Sequence, residues 1–174
     1  MSIEKTQELC YSQFRMKMLI LSVFILNFLF LLVFVLLGVY RTWETQHGSN
    51  QKLFLDGKIP MPRPDGFYKG KVAGYNGPWM GKSFSNKKAT GSNIFLQGGG
   101  EINQYPFTTY VGKGLQDKNL DVLKIDYNIS QNSFWIRLIL DEVVEVGKNT
   151  LLGKIHIRLI PGFPFTIGFF SLQK

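Results

Sequence analysis

The stretch Phe134–Val146, "FWIRLILDEVVEV", leads through the turn residues Gly147–Thr150, "GKNT", into Leu151–Ile160, "LLGKIHIRLI". In the first segment Phe134, Ile136, Leu138 and Leu140 alternate with Trp135, Arg137, Ile139 and Asp141. In the second, Ile155, Ile157 and Leu159 alternate with Lys154, His156 and Arg158. Strict alternation is the period of a strand, whose successive side chains point to opposite faces. The intervening turn can join the two segments as an antiparallel hairpin. A one-residue slip would scramble both faces, so matching apolar face to apolar face sets the expected register. Trp135, Arg137, Asp141, Lys154, His156 and Arg158 are then expected to share one face.

Three readings of that face stay open: a solvated surface, a ligand-lined interior and a face that docks a protein partner. It can be a solvated outer face on which Asp141 offsets the cations, each cross-strand pair adding only a few tenths of a kcal/mol. Or it can line a barrel interior, where Arg137, His156 and Arg158 would meet a carboxylate or phosphate headgroup beside Trp135. Arginine suits such a site because its planar fork grips a carboxylate bidentately, and small barrels orient a ligand through a few polar groups in an apolar cavity.

Outward from the hairpin, "FYKGKVA" (67–73), "NIFLQ" (93–97), "PFTTYVG" (106–112), "LDVLKIDYNI" (120–129) and "FTIGFFSL" (165–172) are further short apolar runs separated by glycine or polar breaks. Gly98, Gly99 and Gly100 supply one flexible turn. No segment carries a helical stripe. Seven or eight short strands over residues 66–174, without alternating helices, predict an all-β domain, a small antiparallel β-barrel or a sandwich.

The N-terminal part differs. Met18–Tyr40, "MLILSVFILNFLFLLVFVLLGVY", runs for 23 residues without a charge. About twenty apolar residues, each rising about 1.5 Å, cross a hydrocarbon core of roughly 30 Å. A cleaved signal peptide would have a shorter apolar region and small residues at the cut, where this chain has "LLGVYRTWE". One N-terminal transmembrane helix is therefore expected over 18–40, after a tail at 1–17, with Tyr40 and Trp43 at the interface. Arg15 and Lys17 abut the helix on its N-terminal side. They favour a cytoplasmic N-terminus and place the domain on the non-cytoplasmic side. Residues 41–65, with Pro60, Pro62 and Pro64, read as a semi-rigid linker in which "LFL" (53–55) is either an edge strand or a surface patch.

The stretch Gly74–Ser83, "GYNGPWMGKS", ends like a phosphate-binding loop. Five positions before Gly81 stands Asn76, not the glycine the loop requires. Pro78 removes a backbone donor, and "FSNKKATGSN" is a poor helix to follow it. Gly-Lys also recurs from positions 57, 70, 112, 147 and 153, so nucleotide chemistry is not expected. Asp141 and Glu142 are adjacent and point to opposite faces of a strand, so they make no acid–base pair. With one cysteine, Cys10, and histidines only at 47 and 156, neither a disulfide nor a metal site is expected. No catalytic constellation and no cofactor motif is visible, so the protein is expected not to be an enzyme. After residue 40 there are 17 Lys and Arg against 10 Asp and Glu, a balance suited to anionic lipid more than to nucleic acid beside a membrane anchor.

"GPWMGKSF" (77–84) contains Gly-x-Trp, and in this it resembles the signature of lipocalin-type (calycin) barrels. The resemblance implies an antiparallel barrel for a small hydrophobic ligand, such as a fatty acid or lipid. Trp79 would close one end, with Arg158 or Arg137 packing over it. "PDGFYKG", "YPFTTYVGKGLQDKN" and "IRLILDEVVEVG" are similar to a bacterial family of membrane-anchored proteins to which no activity is assigned, and no catalytic residue carries over. The functional expectation is a membrane-anchored module that binds a hydrophobic or amphipathic anion through Trp135, Arg137, His156 and Arg158. The alternative is a non-enzymatic assembly subunit of a membrane protein complex.

Overall fold

A computed structural model describes residues 3–174, with side chains from Tyr11 onward. The chain forms two compact units, one ending at Val39 and one comprising Tyr40–Lys174. The first consists of helix α1, which runs Ile3–His47 and whose last turns belong to the second unit. Across Tyr11–His47 the helix is long and apolar enough to cross a membrane, and its apolar side chains are exposed. Two polar side chains of its apolar run are satisfied within the helix. Ser22 Oγ donates to the Met18 carbonyl at 2.6 Å, and Asn27 Nδ2 donates to the Val23 carbonyl at 2.8 Å.

The second unit is a closed barrel of eight antiparallel strands, each hydrogen-bonded to its neighbours in sequence. The strands are β1 (Gly66–Lys71), β2 (Trp79–Ser85), β3 (Thr90–Gln97), β4 (Gly100–Lys113), β5 (Asp121–Asp126), β6 (Ile139–Gly147), β7 (Thr150–Ile160) and β8 (Phe163–Gln173). Pairing of Lys69–Lys71 with Ser171–Gln173 closes the barrel and removes both sheet edges. Gly98 and Gly99 turn β3 into β4 at φ of 61° and 83°. One half of the interior is filled by Tyr68, Phe84, Phe107, Ile125, Val143, Leu151 and Leu172. Tyr68 stands edge-on to Phe84, and Phe84 packs against Phe107.

The hairpin that announces the fold is present, with a different register. A bulge between Glu145 and Gly147 adds one residue to β6, so Asp141 pairs with Ile155 and Glu142 with Lys154. Ile139, Asp141 and Val143 therefore point inward, while Leu140, Glu142 and Val144 share the outer face with Lys154 and His156. Trp135 and Arg137 are not in a strand. Phe134–Arg137 form a single helical turn, α3, because β5 ends at Asp126 and leaves residues before Ile139 without a partner on that side.

Residues 41–65 are not an extended spacer either. Ser49–Leu55 form a short helix, α2, whose Phe54 is wholly buried against Val122, Val144 and Leu152 on the outer barrel wall. Lys58 and Glu145 exchange backbone hydrogen bonds at 3.1 and 2.7 Å. The outer face of β5–β8 is thus a second core. That is why β6 is apolar on both faces, which weakens the alternation on which register matching depends.

Candidate functional site

The unfilled half of the barrel holds a cavity of about 430 Å³ at the end where β1 meets β2 and β5 meets β6. Its wall is apolar, formed by Val72, Phe95, Ile136, Ile139, Ile155 and Ile167, with the exposed Tyr75 and Tyr105 among the lining residues. The volume falls within the roughly 300–1,000 Å³ usual for small-molecule sites.

The polar groups of this cavity originate in the Gly-x-Trp stretch. In β2, Trp79 pairs with Phe95 and Lys82 with Asn93, and a bulge at Met80 turns both Trp79 and Lys82 inward. Gly81 makes this bulge possible. Its φ is +144°, and a Cβ there would collide with the Tyr68 carbonyl. A Cβ on Gly70 would strike the Trp79 ring, so that glycine gives the indole its place. Trp79 then packs edge-on against Phe170, with ring centroids 6.0 Å apart.

Lys82 is buried, and all three of its N–H donors are used. They reach Asn93 Oδ1 at 2.9 Å, the Tyr127 hydroxyl, and Asp141 Oδ2 at 3.0 Å. The Trp79, Phe107, Tyr127 and Phe170 rings surround the ammonium with centroids 5.0–5.6 Å away. Asn93 Oδ1 also accepts from Trp79 Nε1 at 2.9 Å, while its Nδ2 donates to the Tyr127 hydroxyl at 3.0 Å. Tyr127 donates onward to Asp141 Oδ2 at 3.2 Å. Burial pulls the Lys82 pKa down, opposed by the neighbouring Asp141 charge and hydrogen bond. Burial and Asp141 together push the Tyr127 phenol well above its ordinary value. Lys82 and Asp141 form the one ion pair of this network. Asp141 is 3% exposed, and its Oδ1 has no hydrogen-bond partner.

The residues expected to form the site lie elsewhere. Trp135 is 71% exposed on α3, and Arg137 Nε donates to Asn128 Oδ1 at 2.9 Å. Arg158 forms a fork on Asp126, at 3.2 and 2.6 Å, and does not cover Trp79; the cation at the indole is Lys82. Trp79 itself belongs to the cavity wall, while the closed end is filled by the aromatic and aliphatic core.

His156 is fully buried on the outer face. It sits between Glu142, with Nε2 to Oε2 at 3.2 Å, and Thr166, with Nδ1 to Oγ1 at 3.0 Å. Glu142 Oε1 also accepts from the Leu115 N–H at 2.6 Å. Burial drives the Glu142 carboxyl upward, but the His156 bond and charge, the Leu115 N–H and Lys124 outweigh it and leave the pKa low. Next to this group Lys154 donates to Gln51 at 2.7 Å and Asp117 at 2.5 Å, beneath the Phe54 ring. These contacts fasten α2 and the β4–β5 loop to the barrel wall and do not reach the cavity.

Lys82, Asn93 and Tyr127 escape a reading by alternation, whereas Asp141 falls on the polar face that the alternation outlines. The Met80 bulge changes the parity between Trp79 and Lys82, and glycine and serine separate them from Phe84. The remaining signal is the even-numbered pair Lys82 and Phe84 among small residues. No protein-family model matches the chain, and no curated protein or solved structure is similar to it.

Proposed function

We propose that the protein is a membrane-anchored binding module whose barrel holds a small hydrophobic or amphipathic ligand. The observation that carries this reading is the apolar-walled cavity of about 430 Å³ with a compact polar cluster on one side. Helix α1 would cross the membrane once, with Arg15 and Lys17 on the cytoplasmic side and the barrel on the other, holding the cavity close to a source of lipid. The Gly-x-Trp resemblance to calycin barrels agrees with this use of the fold. Arg137, His156 and Arg158 are outside the cavity, so an anionic headgroup held by them is no part of the proposal.

Trp79 provides the readout. With Trp43 and Trp135 replaced by phenylalanine, Trp79 is the single tryptophan of the full chain. In nanodiscs, a fatty-acyl chain carrying a bromine quencher should quench its emission saturably. Emission that falls only linearly with added probe, as for partitioning into the bilayer, would refute the reading.

A second reading is favoured by Phe134 and Trp135, which are 62% and 71% exposed and pack on one another at 5.1 Å. Such a pair suits a protein partner, as in an assembly subunit of a membrane complex. That reading expects a partner to co-purify after mild extraction and to be lost on Trp135→Ala, with Trp79 emission indifferent to lipid.

A further inference from the structure

Within the buried cluster of Lys82, Asn93, Tyr127 and Asp141, every side-chain polar atom but one is hydrogen-bonded. Lys82 has spent three donors, Asn93 Oδ1 accepts twice, and the Tyr127 hydroxyl accepts twice and donates once. Asn93 Nδ2 reaches the Tyr127 hydroxyl and, at 3.4 Å, the Tyr105 carbonyl. Asp141 Oδ2 takes both Lys82 and Tyr127. What remains is Asp141 Oδ1, buried and unpartnered, on a residue that lines the cavity. A carboxylate oxygen left this way is costly, because it has lost water and gained no donor.

We infer that the cavity selects a ligand whose polar end is an uncharged hydrogen-bond donor, a hydroxyl or primary amide on an apolar body, seated on Asp141 Oδ1. This rests on the reading of the cavity as a binding site. A carboxylate head is disfavoured twice. It would bring a second negative charge to Asp141, and it would find no free donor on Lys82. An ammonium head would stand beside Lys82, already 3.0 Å from the same carboxylate, with no second anion among the cavity-lining residues. A plain alkane would fill the wall and leave Oδ1 unpaired. A hydroxyl meets the unmet acceptor and changes no charge.

The test uses the full chain in nanodiscs with Trp79 as its single tryptophan, titrated with bromine-tailed dodecanol, dodecanoate and dodecane at a pH where the acid is ionised. The alcohol should bind at least tenfold more tightly than either of the others. In Asp141→Asn the side-chain amide can donate where the carboxylate accepted, and the partner charge on Lys82 is released. The order of alcohol and carboxylate should then reverse. Carboxylate binding as tightly as alcohol in the unaltered protein overturns the inference while leaving the binding reading intact. Alcohol and alkane binding equally also overturns it, because the head is then not read and water alone serves Oδ1. An alcohol preference unchanged in Asp141→Asn assigns the selection to another group and overturns the role of Asp141. If none of the three quenches Trp79 saturably, the binding reading itself fails. Should the variant not fold, the series in the unaltered protein still decides.

Discussion

Lys82 Nζ and Asp141 Oδ2 meet at 3.0 Å inside the barrel, joining strands β2 and β6, which are four apart in an eight-stranded ring. The pair spans the interior at the boundary between the packed half and the cavity. It ties opposite walls of the ring together.

Breaking this pair on one side should therefore be far worse than replacing both members. Lys82→Met leaves Asp141 buried and uncompensated, a loss of roughly 3–5 kcal/mol. Adding Asp141→Leu to that variant should recover much of it. Denaturant unfolding followed by Trp79 fluorescence measures the cycle, and additive losses would contradict the coupling.

Gly81→Ala should destabilise the barrel by roughly 1–3 kcal/mol, since φ of +144° and the Tyr68 carbonyl both oppose a Cβ. Gly100→Ala, where a Cβ meets nothing within 4 Å, should change stability by no more than about 0.5 kcal/mol. Thermal melts of the two variants give the comparison.

Acid should weaken the fold through Glu142. Its folded pKa lies below the ordinary 4.5, so between the two values the unfolded chain binds more protons and stability rises with pH. The contribution is present above about 4.5 and is lost as pH falls through the folded value. In Glu142→Gln this part of the slope of unfolding free energy against pH should disappear, while other carboxylates keep theirs.

Phe54→Ala should cost roughly 3–5 kcal/mol, as for other fully buried phenylalanines. The ring fills the space between Val122, Val144 and Leu152 and also covers the Lys154 ammonium. Limited proteolysis within residues 49–65 should then become rapid if α2 owes its position to this contact.

Trp135→Ala and Arg137→Ala should leave both stability and Trp79 quenching by the alcohol unchanged within error, because neither side chain lines the cavity. Stability changes above about 0.5 kcal/mol would be unexpected for such exposed positions. Asn93→Leu, by contrast, removes the acceptor shared by Trp79 and Lys82 and should weaken binding.

The local chemistry of the chain determines the apolar helix, the all-β character of the domain and the Gly98–Gly99 turn, because periods of 2 and 3.6 and the freedom of glycine are properties of neighbouring residues. It also carries the contrast between Asp141 and Glu142, which adjacent strand positions must send to opposite faces. Only the tertiary structure decides which face is inside. A one-residue bulge before Gly147 exchanges the faces of β6, and a bulge at Met80 hides the inward turn of Lys82. Neither bulge leaves a mark in hydrophobicity, since each is selected by pairing with a strand distant in sequence. The outer wall is apolar because α2 covers it, so burial there reflects docking and not barrel closure. The cluster of Lys82, Asn93, Tyr127 and Asp141 exists only once the ring of strands closes and brings four distant side chains into one low-dielectric space.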